Sequence, residues 1–258
     1  MTEKLGITQG ALLMNTLGVK TIIGGLCFAV VLSWGFIAHA ESTVEKPNER
    51  LHKAFPNLPF ESVEPTDIKG LYEVVSGTNI IYYYPEKDYL FVGEIYAPPG
   101  ISITAIKKSG LAAKAVKNLP LDKAVKIGNG KTVVIEFTDP DCPFCRKSYD
   151  FLKNRSDITH YVFLTPLAHP GAITKVYYIL NAEDKVKAYQ EMFDGKKPVQ
   201  PPSGYSEQVK TLAQDHMNLA RTIGVTGTPT SFINGKQVVG ADIQQIEKLL
   251  NEAAKSEK

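Results

Sequence analysis

Cysteine is scarce in this chain: only three occur among its 258 residues. Cys27 lies in an apolar N-terminal run, whereas Cys142 and Cys145 are three positions apart in the body of the chain. Two such cysteines cannot form the framework of structural disulfides that stabilises small secreted domains. The fold must therefore depend on an apolar core, which a chain of this length with 43% apolar residues can build.

An excess of charge of one sign is also missing, because 29 basic and 27 acidic residues leave a formal charge of +2. Proteins that bind nucleic acid usually carry a clear basic excess, so we expect no nucleic-acid partner. We also expect no metal and no cofactor. A zinc-bearing adaptor remains the alternative, but a zinc site needs four ligands, and the histidines that follow residue 40 are widely spaced: His52, His160, His169 and His216.

Long apolar runs are absent except at 21–38, which follows Lys4 and Lys20 and precedes the tripeptide Ala38-His39-Ala40. A basic start, an apolar stretch and a small-x-small end are typical of an export signal. We therefore predict a signal peptide over 1–40, cleaved after Ala40. The run is also close to the ~20 residues that span a bilayer, so an uncleaved anchor at 21–38 is the alternative. Both readings place the rest of the chain outside the cytoplasm.

The next region predicts a small antiparallel sheet. Residues 41–62 are polar and rich in proline, which predicts a flexible segment with one short helix near Glu49–Ala54. Within 63–97, three β-branched and aromatic runs are separated by turn residues: Leu71–Ser76, Asn79–Tyr84 and Tyr89–Tyr96. So small a sheet cannot cover its own faces and edges, so a partner copy or the main domain should complete it, and a homodimer formed through the sheet is the simpler prediction. A linker helix at 98–120 would hold this unit apart from the C-terminal half of the chain.

From 121 to 258 the pattern changes to an α/β domain. An apolar strand at Thr132–Thr138, a helix from Pro143 and a second strand at Tyr161–Thr165 predict a βαβ unit. A mostly helical stretch at about 171–223 comes next, and then a hairpin around Gly235 and a closing helix. This order is that of thioredoxin, with a helical insertion, so the whole chain combines an α+β unit with an α/β domain.

The chemistry that we predict depends on Cys142 and Cys145, which follow a strand and open a helix. Unpaired N–H groups at a helix start favour the thiolate, so we expect Cys142 to be the nucleophile. Cys145, one turn later, would resolve the mixed disulfide, giving a redox-active Cys142–Cys145 disulfide. Pro143 costs no hydrogen bond at this position, and Phe144 offers apolar contact to an unfolded substrate. Arg146 and Lys147 would favour the thiolate, whereas Asp139 and Asp141 would oppose it.

Two further positions carry open alternatives. Thr228 and Pro229 precede a late strand. Pro229 is either a plain strand-edge proline or part of a loop that resembles the cis-proline loop of the thioredoxin superfamily, in which the residue before the proline pairs with an extended substrate segment. Glu136, six residues before Cys142, is either a buried acid that exchanges a proton with the second thiol or an outward-facing strand residue. The parity of its neighbours Ile135 and Phe137 supports the latter.

The run Phe137–Arg146, the Gly-Thr-Pro loop and the small sheet with its linker helix together resemble the DsbC/DsbG disulfide isomerases over about 63–250. The resemblance implies a periplasmic, V-shaped homodimer that acts on misfolded or wrongly disulfide-bonded secreted proteins and is reduced by a membrane thiol reductase of the DsbD type. The dipeptide Pro143-Phe144 departs from the best-known isomerases. A thiol oxidase, a reductase for one client, and a holdase chaperone with secondary redox activity are therefore the alternatives.

Overall fold

The structure, a computed structural model, describes residues 45–256, with side chains to residue 255. The predicted signal peptide or anchor at 1–40 lies outside this range. Among the residues that the structure describes, no helix is both long enough and apolar enough to cross a membrane.

The N-terminal unit is a four-stranded antiparallel sheet with the spatial order β1-β2-β3-β4. Its strands are β1 (Ser62–Pro65), β2 (Tyr72–Ser76), β3 (Asn79–Tyr84) and β4 (Tyr89–Phe91). The predicted meander is therefore present, with one strand more than expected at its start. The third predicted run is interrupted, because Val92–Ile95 leaves the sheet and pairing resumes only in a short ribbon of β5 (Tyr96–Ala97) and β6 (Ile101–Ser102).

Helix α1 (Pro47–Ala54) covers one face of this sheet. Leu51 is fully buried against Val74 of β2 and Tyr83 of β3. Arg50 donates two hydrogen bonds to the carboxylate of Asp88, 2.8 and 2.9 Å long, which joins the helix to the β3–β4 turn. The short helix predicted near Glu49–Ala54 is therefore present as α1. The prediction that 41–62 would be flexible is wrong for its described part, because Leu51 and the partly buried Phe55, Leu58 and Phe60 pack on the sheet.

Helix α2 (Ile103–Ala115) covers the opposite face, and the hydroxyl of Ser102 caps it by accepting a hydrogen bond from the Ala105 amide. The hydroxyls of Thr104 and Tyr82 are 2.5 Å apart, and Lys107 forms an ion pair with Glu73 at 2.6 Å. The chain thus covers both faces of the sheet with its own helices. Of the two predicted ways of completing the sheet, a partner copy or the rest of the chain, the second is found for the faces, and the edges remain for pairing.

The prediction that α2 would hold the two units apart is wrong. Ala112 of α2 is buried in the apolar cluster of the C-terminal domain, beside Phe137 and Phe232. The two units also meet directly, since the hydroxyl of Thr78 in the β2–β3 turn donates a 3.1 Å hydrogen bond to the Thr222 carbonyl. The apolar side of α2 therefore packs against the apolar surface of the C-terminal domain.

The C-terminal domain is built on a five-stranded sheet of order β11-β10-β8-β9-β7. β8 and β9 are parallel and the other neighbours are antiparallel. β7 has only three residues and was not predicted from the sequence. The strands and their helices are β7 (Val125–Ile127), β8 (Thr132–Thr138), α3 (Pro143–Leu152), β9 (Ile158–Leu164), β10 (Thr230–Ile233), β11 (Lys236–Val239) and α7 (Ile243–Ser256).

The predicted helical insertion consists of α4 (Ile173–Asn181), α5 (Lys185–Phe193) and α6 (Glu207–Ile223). α4 and α5 bury Ile179 and Tyr189 in one cluster with both cysteines of the motif. α6 contributes Ala220 and Ile223 to the cluster around Phe137. The cysteine pair therefore lies where the insertion meets the central sheet.

Candidate active site

The turn between β8 and α3 places the two cysteines at the start of a helix. Cys142 is the N-cap residue, with extended backbone angles, and Pro143 occupies the first helical position. Both thiols are free; Cys142 is 6% exposed and Cys145 is fully buried. Of the two, Cys142 is therefore the one with some exposed surface, through which a substrate disulfide could reach its sulfur.

Backbone groups of the turn and of a second loop surround the sulfur atoms. The amide of Cys142 donates to the Asp139 carbonyl at 3.1 Å, and the Asp139 amide donates to the sulfur of Cys145 at 3.3 Å. The Cys142 thiol lies 3.4 Å from the Thr228 carbonyl, to which it donates. The Thr228–Pro229 peptide bond is cis. The structure thus brings together the cysteine pair and the Thr228-Pro229 loop, which are more than eighty residues apart in the sequence.

The electrostatic surroundings of Cys145 favour its protonated form. Burial raises the pKa of the Cys145 thiol far above its ordinary value, and the negative charge of Glu136 acts in the same direction. The nearby Thr138 hydroxyl and the hydrogen bond from the Asp139 amide oppose this rise but do not cancel it. Cys145 is therefore a neutral thiol at neutral pH and needs a proton acceptor before it can attack.

Glu136 is fully buried and faces α3. Ser148 donates a 2.6 Å hydrogen bond to one carboxylate oxygen, and the imidazole Nε2 of His160 lies 2.9 Å from the other. Of the two alternatives for Glu136, the buried acid is the one found. The parity argument failed because this central sheet is covered on both faces, so Ile135, Glu136 and Phe137 are all buried.

Phe144 is 63% exposed beside the buried Cys142. Pro143, Arg146 and Lys147 are exposed as well. This exposed phenyl ring next to Cys142 is an apolar surface that side chains of an unfolded chain could contact.

Two basic residues that contact the active-site turn were not predicted from the sequence. His169 Nδ1 lies 3.0 Å from Asp139 Oδ2, and Lys175 Nζ lies 2.6 Å from Asp141 Oδ1. Both bases come from the segment after β9, about thirty residues downstream. No local pattern in the sequence could have paired them with these acids.

Among residues 45–256, no three His, Cys, Asp or Glu side chains are grouped so as to hold a metal ion.

Two family models match the chain. Residues 38–105 match the model described as the disulfide bond isomerase protein N-terminal domain, and residues 119–254 match the thioredoxin-like domain. The two matches correspond to the two units described above.

Curated proteins similar to this chain are thiol:disulfide interchange proteins. The probable thiol:disulfide interchange protein DsbC of Bordetella pertussis is 30% identical over 198 residues, covering 75% of this chain and 68% of that protein. The corresponding protein of Bordetella avium is 31% identical over 222 residues, covering 84% and 76%. The DsbC protein of Salmonella typhimurium is 23% identical over 210 residues, covering 79% and 83%. Among solved structures, the disulfide interchange protein from Neisseria gonorrhoeae matches with a TM-score of 0.42 and 30% identity, covering 52% of this chain and 97% of that one.

Proposed function

This chain belongs to the DsbC family of thiol:disulfide interchange proteins, and we propose that it is a disulfide isomerase in which Cys142 attacks and Cys145 resolves. The observation that carries this proposal is the difference between the two thiols. Cys142 reaches the surface at a helix N-terminus, whereas Cys145 is buried and held protonated.

In this mechanism the Cys142 thiolate attacks one sulfur of a substrate disulfide and forms a mixed disulfide, and the other substrate sulfur leaves as a thiolate. That thiolate can attack a further disulfide of the same client until Cys142 is displaced, which rearranges the bonds without net electron transfer. Alternatively, Cys145 loses its proton and attacks the sulfur of Cys142. The client is then released with two thiols, and a Cys142–Cys145 disulfide remains for a reductase to reduce.

The surroundings of Cys142 fit an extended peptide substrate. The Thr228 carbonyl faces the sulfur at 3.4 Å, so a client strand that paired with this loop would lie directly beside Cys142. Pro229 is buried and fixes the loop, and the exposed ring of Phe144 would contact apolar side chains of the client. A strand contact of this type selects for unfolded segments rather than for a particular sequence.

We assign Glu136 the role of proton acceptor for Cys145. It is buried, its charge acts on the Cys145 thiol, Ser148 donates a hydrogen bond to one of its oxygens, and His160 lies beside the other. A carboxylate in these surroundings can take the thiol proton at the moment of attack and return it later.

The N-terminal sheet would form the dimer through its β4 edge. β4 is an outer strand, and large apolar side chains on and after it are exposed; Val92 is 88% exposed. An exposed apolar edge of this kind promotes strand pairing with another chain, here a second copy. The dimer would act in the periplasm on misfolded secreted proteins, with a membrane thiol reductase of the DsbD type as its source of electrons and with a holding function toward unfolded clients.

Reactivation of scrambled ribonuclease tests this function. We expect the protein to restore ribonuclease activity, the Cys142→Ser variant to fail, and a Phe91→Lys, Val92→Lys double variant to sediment as a monomer and reactivate poorly. The double variant should still exchange thiols with a small disulfide, since its catalytic domain is intact. If the unmodified protein oxidises reduced ribonuclease readily but does not reactivate the scrambled form, it is an oxidase and the isomerase proposal is wrong.

A further inference from the structure

The turn that leads into Cys142 carries two carboxylates, Asp139 and Asp141. Asp139 is fully buried, and its backbone bonds to both cysteines of the motif. Asp141 directly precedes Cys142, and its amide donates a 2.9 Å hydrogen bond to Asp139 Oδ1. Uncompensated, two negative charges here would oppose the formation of a third on the Cys142 sulfur.

The structure pairs each acid with one base. His169, in the loop after β9, places Nδ1 3.0 Å from Asp139 Oδ2, and Lys175, in α4, places Nζ 2.6 Å from Asp141 Oδ1. The Asp139 carboxylate is inaccessible to water, so it depends on its two polar partners, the Asp141 amide and the His169 imidazole. The segment 169–175 therefore supplies a polar partner to each acid of the active-site turn: the ammonium group of Lys175 to Asp141 and the imidazole of His169 to Asp139.

We propose that Lys175 and His169 are positioning residues that stabilise the two turn acids, Lys175 with its positive charge and His169 with a hydrogen bond, and that they thereby raise the thiolate fraction of Cys142. They contact neither sulfur and act through Asp139 and Asp141. The inference rests on the proposed role of Cys142 as nucleophile and extends it, because the fraction of thiolate sets both the rate of attack and the stability of the reduced pair. The reduction potential of the cysteine pair would thus depend partly on residues outside the Cys-Pro-Phe-Cys turn.

A thermodynamic cycle on the pair Asp141–Lys175 tests the proposal. Both side chains are partly exposed, at 36% and 19%, so substitution leaves the core intact. In a Cys27→Ala, Cys145→Ala background, the ultraviolet absorbance of the thiolate reports the ionisation of Cys142 alone. We expect Lys175→Met to lower its ionisation constant about threefold to tenfold, the effect of one unit charge several ångström away near a protein surface. Asp141→Asn should raise the constant, and the double variant should return close to the parent.

Further variants separate charge from packing. Lys175→Arg keeps the charge and should behave like the parent, and added salt should weaken the effect of Lys175→Met because partly exposed charges are screened. His169→Gln should lower the thiolate fraction, whereas His52→Gln, an exposed histidine of α1, should leave it unchanged.

The proposal is overturned if Lys175→Met leaves the ionisation of Cys142 unchanged, or if the double variant behaves like Lys175→Met alone. The readout is the ionisation of one thiol and not isomerase activity. A protein that shows the cycle yet fails to reactivate scrambled ribonuclease would refute the proposed function and leave this inference standing.

Discussion

At the scale of the residue, the two cysteines of one motif have different surroundings, although they are one helical turn apart. Cys142 caps the helix and meets the Thr228 carbonyl, whereas Cys145 faces the buried carboxylate of Glu136. Cys142 is the thiol that a substrate can reach, and the buried Cys145 needs a proton acceptor before it can react. The different roles that we propose for the two cysteines follow from these positions.

A buried histidine makes the stability of the folded state depend on pH in the acidic range. His216 is fully buried, its Nδ1 accepts a 2.9 Å hydrogen bond from the Leu164 amide, and its Nε2 lies 2.9 Å from the Lys123 carbonyl. Burial lowers the pKa of His216 to about 4, although the Lys123 carbonyl favours the protonated form. The folded state thus keeps the imidazole neutral down to a pH at which the unfolded chain has already bound a proton.

We therefore predict that His216 contributes stability above pH ~6.5 that is lost as the pH falls toward about 4, and that this loss amounts to roughly 3 kcal/mol of the free energy of unfolding. Urea unfolding of the parent and of His216→Gln across this window measures it. The variant should be less stable at neutral pH and should lose less stability on acidification. Parallel curves for the two proteins would refute the assignment.

At the scale of the element, patterns within short stretches were enough to predict β2, β3, β8, α3 and the β10–β11 hairpin. Cys142 and Cys145 together with Thr228 and Pro229 could be found because their order along the chain is informative. The docking of α1 and the existence of β7 could not be predicted, because each depends on a surface supplied elsewhere in the chain. The same holds for the contacts of His169 and Lys175, which only the folded loop after β9 creates.

Substitution of Leu51 measures how much one buried side chain of α1 contributes to the free energy of unfolding. Leu51→Ala should destabilise the protein by about 2–5 kcal/mol, because it leaves a cavity against Val74 and Tyr83. Lys53→Ala, an exposed change on the same helix, should have little effect. Thermal or urea unfolding measures both. Equal and small effects would mean that α1 does not pack on the sheet as described.

At the scale of the whole molecule, the chain joins a sheet with an exposed apolar edge to a domain that carries a reactive thiol. The two units share α2 and meet at the Thr78–Thr222 hydrogen bond, so a second copy that pairs with the β4 edge would be attached to the catalytic domain through packed contacts and not through a loose tether. In our account the sheet assembles the dimer, the Thr228-Pro229 loop holds the client, and Cys142 performs the exchange.

The most direct test of this account is to trap the mixed disulfide between the protein and an unfolded, disulfide-bonded client and to identify the linked cysteine by mass spectrometry. We predict that Cys145→Ala accumulates a complex joined through Cys142, that Cys142→Ala accumulates none, and that Glu136→Gln slows the decay of the complex formed by the otherwise unmodified protein. A complex joined through Cys145, or equal trapping by both alanine variants, would contradict the assignment of Cys142 as nucleophile.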